Sequence, residues 1–451
     1  MKFINRKREL RALKDKLDSA NLEFYVIYGR RRVGKTTLVL ASVKDKEFVY
    51  YLATEENNLR KLKDVAKRIE PRVEYAKEDL ESIFSFLKDK IVIIDEFPNL
   101  IKENPKVVSE FQRIVDVQLK GTRTKLVLLG SSISMMENYV LSYNSPLYGR
   151  KTGQLKLRAL KFRELDDFFP ESTIIECIEI YGFSDGIPYY LEKVDVPFWK
   201  WLDDELKKVD TFFKSEIDFL MKYEFSDVGT YKKILEAIAF GNTKLGSIKN
   251  YIGVKGTDIT PYLKNLIMVE LVEKSTPLID NAKSRKGRYY IKDNFVNFWF
   301  RFINPNISFL EEAIFSSDEI RKGYSHYLGG VFERICGEFL VEKRDALPFS
   351  FQNIGRQWGT VKGAEAGKNQ YEIDIVTLNA QTNEMGFFEC KYKSLKYDEA
   401  KKILDELIGK SSYVDWNTGK RREYFGLIAK KIENKDKLRE MGYLVFDLED
   451  M

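Results

Sequence analysis

Residues 29–36 read Gly-Arg-Arg-Arg-Val-Gly-Lys-Thr, a set of types and spacings suited to gripping a triphosphate. Gly29 and Gly34 would let the backbone approach phosphate oxygens closely, Lys35 would reach the β- and γ-phosphates as a point charge, and Thr36 would hold Mg2+. Arg30, Arg31, Arg32, Val33 and Thr37 complete the stretch expected to meet the nucleotide. The three arginine side chains are expected to point away from the cradle, either as surface charge or toward a carboxylate of a partner or neighbouring subunit. Further along, Ile91-Val92-Ile93-Ile94 runs into Asp95-Glu96. Asp95 would stand beside the metal and Glu96 would polarise the attacking water, whereas the acid pair on its own could equally cap a helix.

Such chemistry needs a strand before the loop and a helix after it, because backbone N–H groups and a helix N-terminus must both face the phosphates. The apolar run 24–28 and the helical-looking stretch 37–41 meet that need. From Asn5 to about Phe169, the short apolar runs 24–28, 48–52, 91–94 and 126–129 alternate with charged amphipathic stretches, which predicts an α/β parallel sheet. Ser131 follows the last of these runs. Its hydroxyl suits either a γ-phosphate sensor or the N-cap of a helix beginning near Ile133.

A second constellation lies near the C-terminus: Glu333 on an amphipathic helix, Asp374 within an apolar strand, and Glu389-x-Lys391 on the next. A spacing of two puts Glu389 and Lys391 on one face of a strand. Asp374, Glu389 and Glu333 are hard oxygen ligands that suit Mg2+, and Lys391 would stabilise a hydroxide or developing phosphorane charge, the equipment of phosphodiester cleavage. The bland alternative is a solvated strand face carrying an incidental salt bridge.

Between these regions the chain is first helical and aromatic, with a turn at Asp185-Gly186-Ile187-Pro188, and then reads as three helices and a hairpin. Thr260 is expected as N-cap with Pro261 at the first helical position. The hairpin would be the wing of a winged helix, with the basic stretch 283–288 at its tip and Lys264 and Asn265 as base-reading candidates. The module would contact DNA or serve as an intramolecular spacer.

The 451 residues exceed one ordinary core, and 75 basic against 69 acidic residues permit nucleic-acid contact without requiring it. A single histidine, His326, excludes histidine triads and His-rich metal sites and reads as a helix-surface residue. Cys177, Cys336 and Cys390 are too scattered for a disulfide framework or zinc site. No apolar run approaches the roughly 18 residues that span a bilayer, and the first residues lack a secretory pattern, so a cytoplasmic protein without membrane contact is expected.

Asn5-Arg6, the 29–36 loop, the 91–97 stretch, Gly130-Ser131-Ser132, Tyr148-Gly149-Arg150 and Gly186-Ile187-Pro188 together resemble the archaeal-type ATPase family within the STAND class of P-loop NTPases. The tail, with Gly330-Val331-Phe332-Glu333, Glu372-x-Asp374 and Glu389-x-Lys391, looks like that family's C-terminal domain of unknown function, which is similar to PD-(D/E)xK restriction-endonuclease-like folds. The resemblance implies ATP with Mg2+ as cofactors, Asn5 and Arg6 near the adenine, and Pro188 on a turn facing the nucleotide. It also gives Arg150 a place from which to reach the γ-phosphate in cis or in trans. The expected fold is thus α/β: a P-loop NTPase parallel sheet in residues 1–170, a helical lid in 171–228, a winged helix in 229–303 and a nuclease-like α/β domain in 304–451. The leading expectation is an ATPase whose nucleotide state repositions the winged helix and a nuclease-like tail acting on nucleic acid, DNA before RNA. The alternatives are a regulatory ATP switch or DNA-binding scaffold with an inactive tail, and a homo-oligomeric ring remodeller using the arginines across subunits.

Overall fold

The computed structural model of the chain describes residues 4–254, 256–280, 284, 286–361 and 369–451. Five parallel strands, β1 (Glu23–Tyr28), β2 (Phe48–Leu52), β3 (Ile91–Asp95), β4 (Lys125–Gly130) and β5 (Gly153–Lys156), form one sheet in the order β2-β3-β4-β1-β5. Both faces are covered, which is why β1, β3 and β4 are nearly all apolar rather than alternating. Phe24, Val26, Val92, Ile94, Leu126 and Leu128 pack into one layer of helices. The intervening Tyr25, Ile27, Ile93, Val127 and Leu129 meet Leu13 and Leu17 of α1 (Lys7–Leu17) and Leu38 and Val39 of α2 (Lys35–Ser42) on the other face.

After this sheet the chain is largely helical up to Met268. The helices Val228–Ala239, Leu245–Tyr251 and Thr260–Met268 precede a hairpin of β6 (Val272–Ser275) and β7 (Arg288–Ile291). Ile259 rather than Thr260 is the capping residue, so Thr260 and Pro261 both lie in the first turn, and Asp258 Oδ1 accepts from the Thr260 N–H at 3.0 Å. The hairpin is docked onto the strands that follow. Leu278 N–H donates to the Arg356 carbonyl at 2.9 Å, Trp358 Nε1 donates to the Lys286 carbonyl at 3.3 Å, and Arg288 pairs with Glu372 at 2.7 Å. Lys283 and Arg285 of the expected basic tip lie outside the described residues.

The second sheet, in the order β12-β11-β10-β9-β8, comprises β8 (Asn353–Thr360), β9 (Gln370–Asn379), β10 (Glu384–Leu395), β11 (Arg422–Ile432) and β12 (Leu444–Phe446). β8, β9 and β10 are antiparallel neighbours, while β10, β11 and β12 run parallel, with helix Tyr397–Ser411 crossing over between β10 and β11. Met385 and Phe387 pack toward Leu407 of that helix. On the opposite face, Phe388 and Cys390 share a core with the long helix Ser317–Glu342. That core is one continuous apolar cluster from Leu160 to Leu448, and it crosses every boundary expected after residue 170. Phe183 sits within it, in edge contact with Trp201, Phe213, Phe295 and Phe298. All three cysteines are free and buried, and His326 is exposed on the long helix.

Candidate functional site

The turn after β1 is built around its glycines. Gly29 has φ of 148°, and a Cβ there would lie 2.2 Å from the Leu157 carbonyl oxygen. Gly34, at φ of 90°, is the residue from which α2 starts. Lys35 is buried and its ammonium curls back to donate to the carbonyls of Gly29 at 2.9 Å and Arg30 at 2.8 Å. Burial, only partly offset by Glu96 and Asp95, pushes its pKa down to about 8. Thr36 Oγ1 donates to Asp95 Oδ2 at 2.6 Å, and the Tyr50 hydroxyl donates to the same oxygen at 2.9 Å.

Glu96 stands one residue on, at the start of helix Phe97–Glu103 and in a left-handed conformation with φ of 51°. Its Oε1 accepts from Ser131 Oγ at 2.7 Å, and its Oε2 accepts from the Tyr223 hydroxyl at 2.9 Å. Ser131 is therefore bound to the acid, and the neighbouring Ser132 caps the next helix through the Met135 N–H at 3.4 Å.

Val33, Gly34, Lys35, Thr36, Thr37, Glu96 and Ser131 line a cavity of about 410 Å³, together with Arg6, Arg31, Arg32 and Pro188. Ile4, Phe168, Tyr189 and Phe219 add apolar lining that the sequence did not single out, and this pairing of flat apolar walls with a polar end suits a nucleotide. Arg6 ties the N-terminal segment to the loop by donating to the Val33 carbonyl at 3.1 Å. Asn5 and Arg30 line a second, highly charged cavity of about 770 Å³, which Arg6 and Val33 border as well.

The loop arginines depart from the surface-charge expectation, because each is docked within its own chain. Arg30 pairs with the fully buried Asp293. Arg31 lies over the Tyr223 ring, 3.5 Å from its centroid, and Arg32 pairs with Glu216 at 2.7 Å while covering the Tyr189 ring at 3.7 Å. Arg150 is likewise taken, donating to Asp116 at 2.8 Å and to the Pro146 carbonyl at 2.7 Å. Asp293 is followed by Asn294, which accepts from Arg334 of the long helix, and Arg334 also faces Asp185 at 3.6 Å. Burial pushes the Asp185 carboxyl up to about 7 against the pull of Arg334.

In the second sheet, β9 and β10 bring three of the expected residues together. Lys391 donates to Asp374 at 3.0 Å and to Glu389 at 2.7 Å, and the Cys390 N–H donates to Asp374 at 2.9 Å. Lys410, unforeseen in the sequence, holds the other Glu389 oxygen at 2.7 Å. Burial raises the Glu389 pKa, and Asp374 adds to the rise. Burial alone would lower Lys391, but the two carboxylates outweigh it and hold the ammonium above its ordinary value. Glu333 is held instead by Arg356 at 2.6 Å, and burial pushes its pKa up to about 7. Among the described residues, no three His, Cys, Asp or Glu side chains are grouped to hold a metal ion. Among the described residues, no helix is long and apolar enough to cross a membrane.

Known proteins place these features in context. A model for an ATPase domain predominantly from Archaea matches residues 3–194, and one for Archaea bacterial proteins of unknown function matches residues 299–403. An uncharacterized protein of Methanocaldococcus jannaschii is 57% identical over 450 residues, 99% of each chain. An uncharacterized ATP-binding protein of the same organism is 42% identical over 45 residues, 10% of this chain and 76% of its own. In fold, the chain is similar to a Walker-type ATPase of Pyrococcus abyssi, with a TM-score of 0.52 and 22% identity over 66% of this chain and 96% of that one. With a P-loop at the tip of a five-stranded parallel sheet and a near full-length relative of high identity, the chain belongs to the archaeal ATPase family.

Proposed function

We propose that the chain binds ATP with Mg2+ in the cavity above Lys35 and hydrolyses it. The observation that carries this reading is the meeting of Thr36 and Asp95, one hydrogen bond apart, beside a cavity that Lys35 and Glu96 also line. Hydroxyl and carboxylate oxygens at that spacing fit Mg2+, which when bound would neutralise charge on the β- and γ-phosphates. Lys35 would exchange its two loop carbonyls for phosphate oxygens, and Glu96 would accept the proton of the attacking water. Phe168, Pro188 and Tyr189 would cover the base. Residues 1–170 would hold the nucleotide, 171–228 would form the lid, 229–303 the winged helix and 304–451 the tail.

Calorimetry and steady-state hydrolysis with the full chain test this. Lys35→Ala is expected to lose ATP binding, and Glu96→Gln to keep binding while hydrolysis falls by roughly 100-fold or more. Wild-type protein that takes up no ATP would overturn the reading.

The tail is proposed as a nuclease-like domain in which Asp374 and Glu389 hold Mg2+, with Lys391 beside the scissile phosphate. Support comes from the convergence of the three side chains, since two carboxylates with water and substrate oxygens suffice for this ion. Plasmid nicking in Mg2+ that Asp374→Ala and Lys391→Ala both abolish is the expected result. Absence of nicking would favour the regulatory switch with an inactive tail. One observation already favours an intramolecular role for residues 229–303. Asn265, one of the two base-reading candidates, donates to the Tyr231 hydroxyl at 2.7 Å, and Arg288 of the hairpin is paired with Glu372, whereas Lys264 is exposed. The internal docking of Arg30, Arg31, Arg32 and Arg150 leaves the ring reading without support.

A further inference from the structure

Helix Glu216–Glu224 belongs to no part of the nucleotide sheet, yet its side chains reach the loops at that sheet's tip from one end of the helix to the other. Glu216 pairs with Arg32, Phe219 and Tyr223 lie under the Arg31 guanidinium, and Glu224 accepts from Ser132 at 3.2 Å and Ser134 at 3.4 Å. In the middle of this set, the Tyr223 hydroxyl donates to Glu96 Oε2, which also accepts from the Ser131 N–H at 3.3 Å, while the Ser131 hydroxyl donates to Oε1. The helix thus grips both the phosphate loop and the acid that follows β3.

We propose that Tyr223 is a positioning residue for Glu96, so that hydrolysis proceeds only while this helix is docked on the sheet. The inference rests on Glu96 being the base of the proposed reaction. A glutamate on a backbone turn has several rotamers, and only a few aim an oxygen at a water in line with the γ-phosphate. Hydroxyl donors from two separate elements, Tyr223 on Oε2 and Ser131 on Oε1, leave a single orientation, with an outward lone pair of Oε1 still free for that water. Tyr223 is well placed to be a permanent donor. Burial and the adjacent Glu96 charge hold its phenol well above the ordinary tyrosine range, so its proton stays on the oxygen at every physiological pH. Its ring also carries Arg31, so a shift of the phosphate loop is felt at the same side chain. Movement of the lid would then switch off turnover without emptying the nucleotide cavity.

The test uses the full chain, with steady-state ATP hydrolysis in Mg2+ and equilibrium binding of a fluorescent ATP analogue. Tyr223→Phe keeps the ring beneath Arg31 and removes only the hydroxyl. The expected result is a fall in kcat of about 10-fold or more, with KM and analogue affinity within about two-fold of wild type. In a Glu96→Gln background the same substitution is expected to change nothing further, a non-additivity that a merely structural tyrosine would not produce. Should Tyr223→Phe melt well below wild type, Ser131→Ala, which removes the donor from the other oxygen, is expected to give the same split. Wild-type kcat in Tyr223→Phe alongside a crippled Glu96→Gln would overturn the inference and leave Glu96 as the base. Equal losses of kcat in both backgrounds, or a loss confined to KM, would also overturn it. Full turnover by Glu96→Gln would instead remove the reading on which it rests.

Discussion

Lys35 is the residue on which the proposed nucleotide binding would turn, and its surroundings make a pH-dependent statement. In the folded protein burial holds its pKa at about 8 instead of 10.5, because the hydration lost by the ammonium is only partly offset by Glu96 and Asp95. Its charge therefore costs stability at neutral pH, and that cost relaxes as pH rises from about 8 toward the ordinary lysine value. A triphosphate reverses the preference by supplying negative charge. ATP affinity is expected to be flat below pH 8 with respect to this group and to weaken above it by up to about ten-fold per pH unit, with proton uptake on binding. Calorimetry in buffers of different ionisation enthalpy reads that uptake directly, and a binding enthalpy independent of buffer at pH 9 would refute it. The placement of Lys35, Thr36 and Asp95 beside one cavity was legible in the sequence because it is set by the local backbone of a single loop or strand tip. Tyr223 was not, since its contact with Glu96 joins positions 127 residues apart and depends on how a helix docks.

At the scale of elements, the phosphate loop is fastened to the C-terminal half of the chain through Arg30. Asp293, its partner, has no exposed side-chain surface and also caps helix Asn294–Phe298 through the Val296 N–H at 2.8 Å. Arg30→Met would strand a buried carboxylate and is expected to cost about 3–5 kcal/mol, seen as a lower denaturant midpoint. Adding Asp293→Asn, which keeps the cap and removes the charge, is expected to recover most of that loss. A double variant as unstable as the single one would show that Arg30 contributes packing instead of charge. Elements themselves were readable to differing degrees. β1, β3 and β4 stood out because burial on both faces demands unbroken apolar runs. β5, β8 and β12 did not: Gly153–Lys156 has no apolar pattern, Asn353–Thr360 carries two glycines and several polar residues, and Leu444–Phe446 is only three residues long.

For the whole molecule, the alternation of apolar runs and charged stretches before residue 170 anticipated the parallel sheet, whereas the docking of the later elements onto one another was not legible. The basic hairpin tip read as an open DNA contact because its charges are adjacent in sequence. In the fold, Arg288 faces Glu372 and the hairpin lies against β8, an arrangement decided by partners 84 and 72 residues away. The same holds for Arg30 and Arg32, whose carboxylates come from regions that no local pattern connects to them.

The aromatic cluster centred on Phe183 has its own bearing on how such chains diversify. Because one apolar network joins Leu160 to Leu448, the C-terminal portion is not a detachable cassette. A lineage that exchanged its tail for another would have to redesign the lid helices at the same time, so inheritance of the two as a block is the outcome this packing favours.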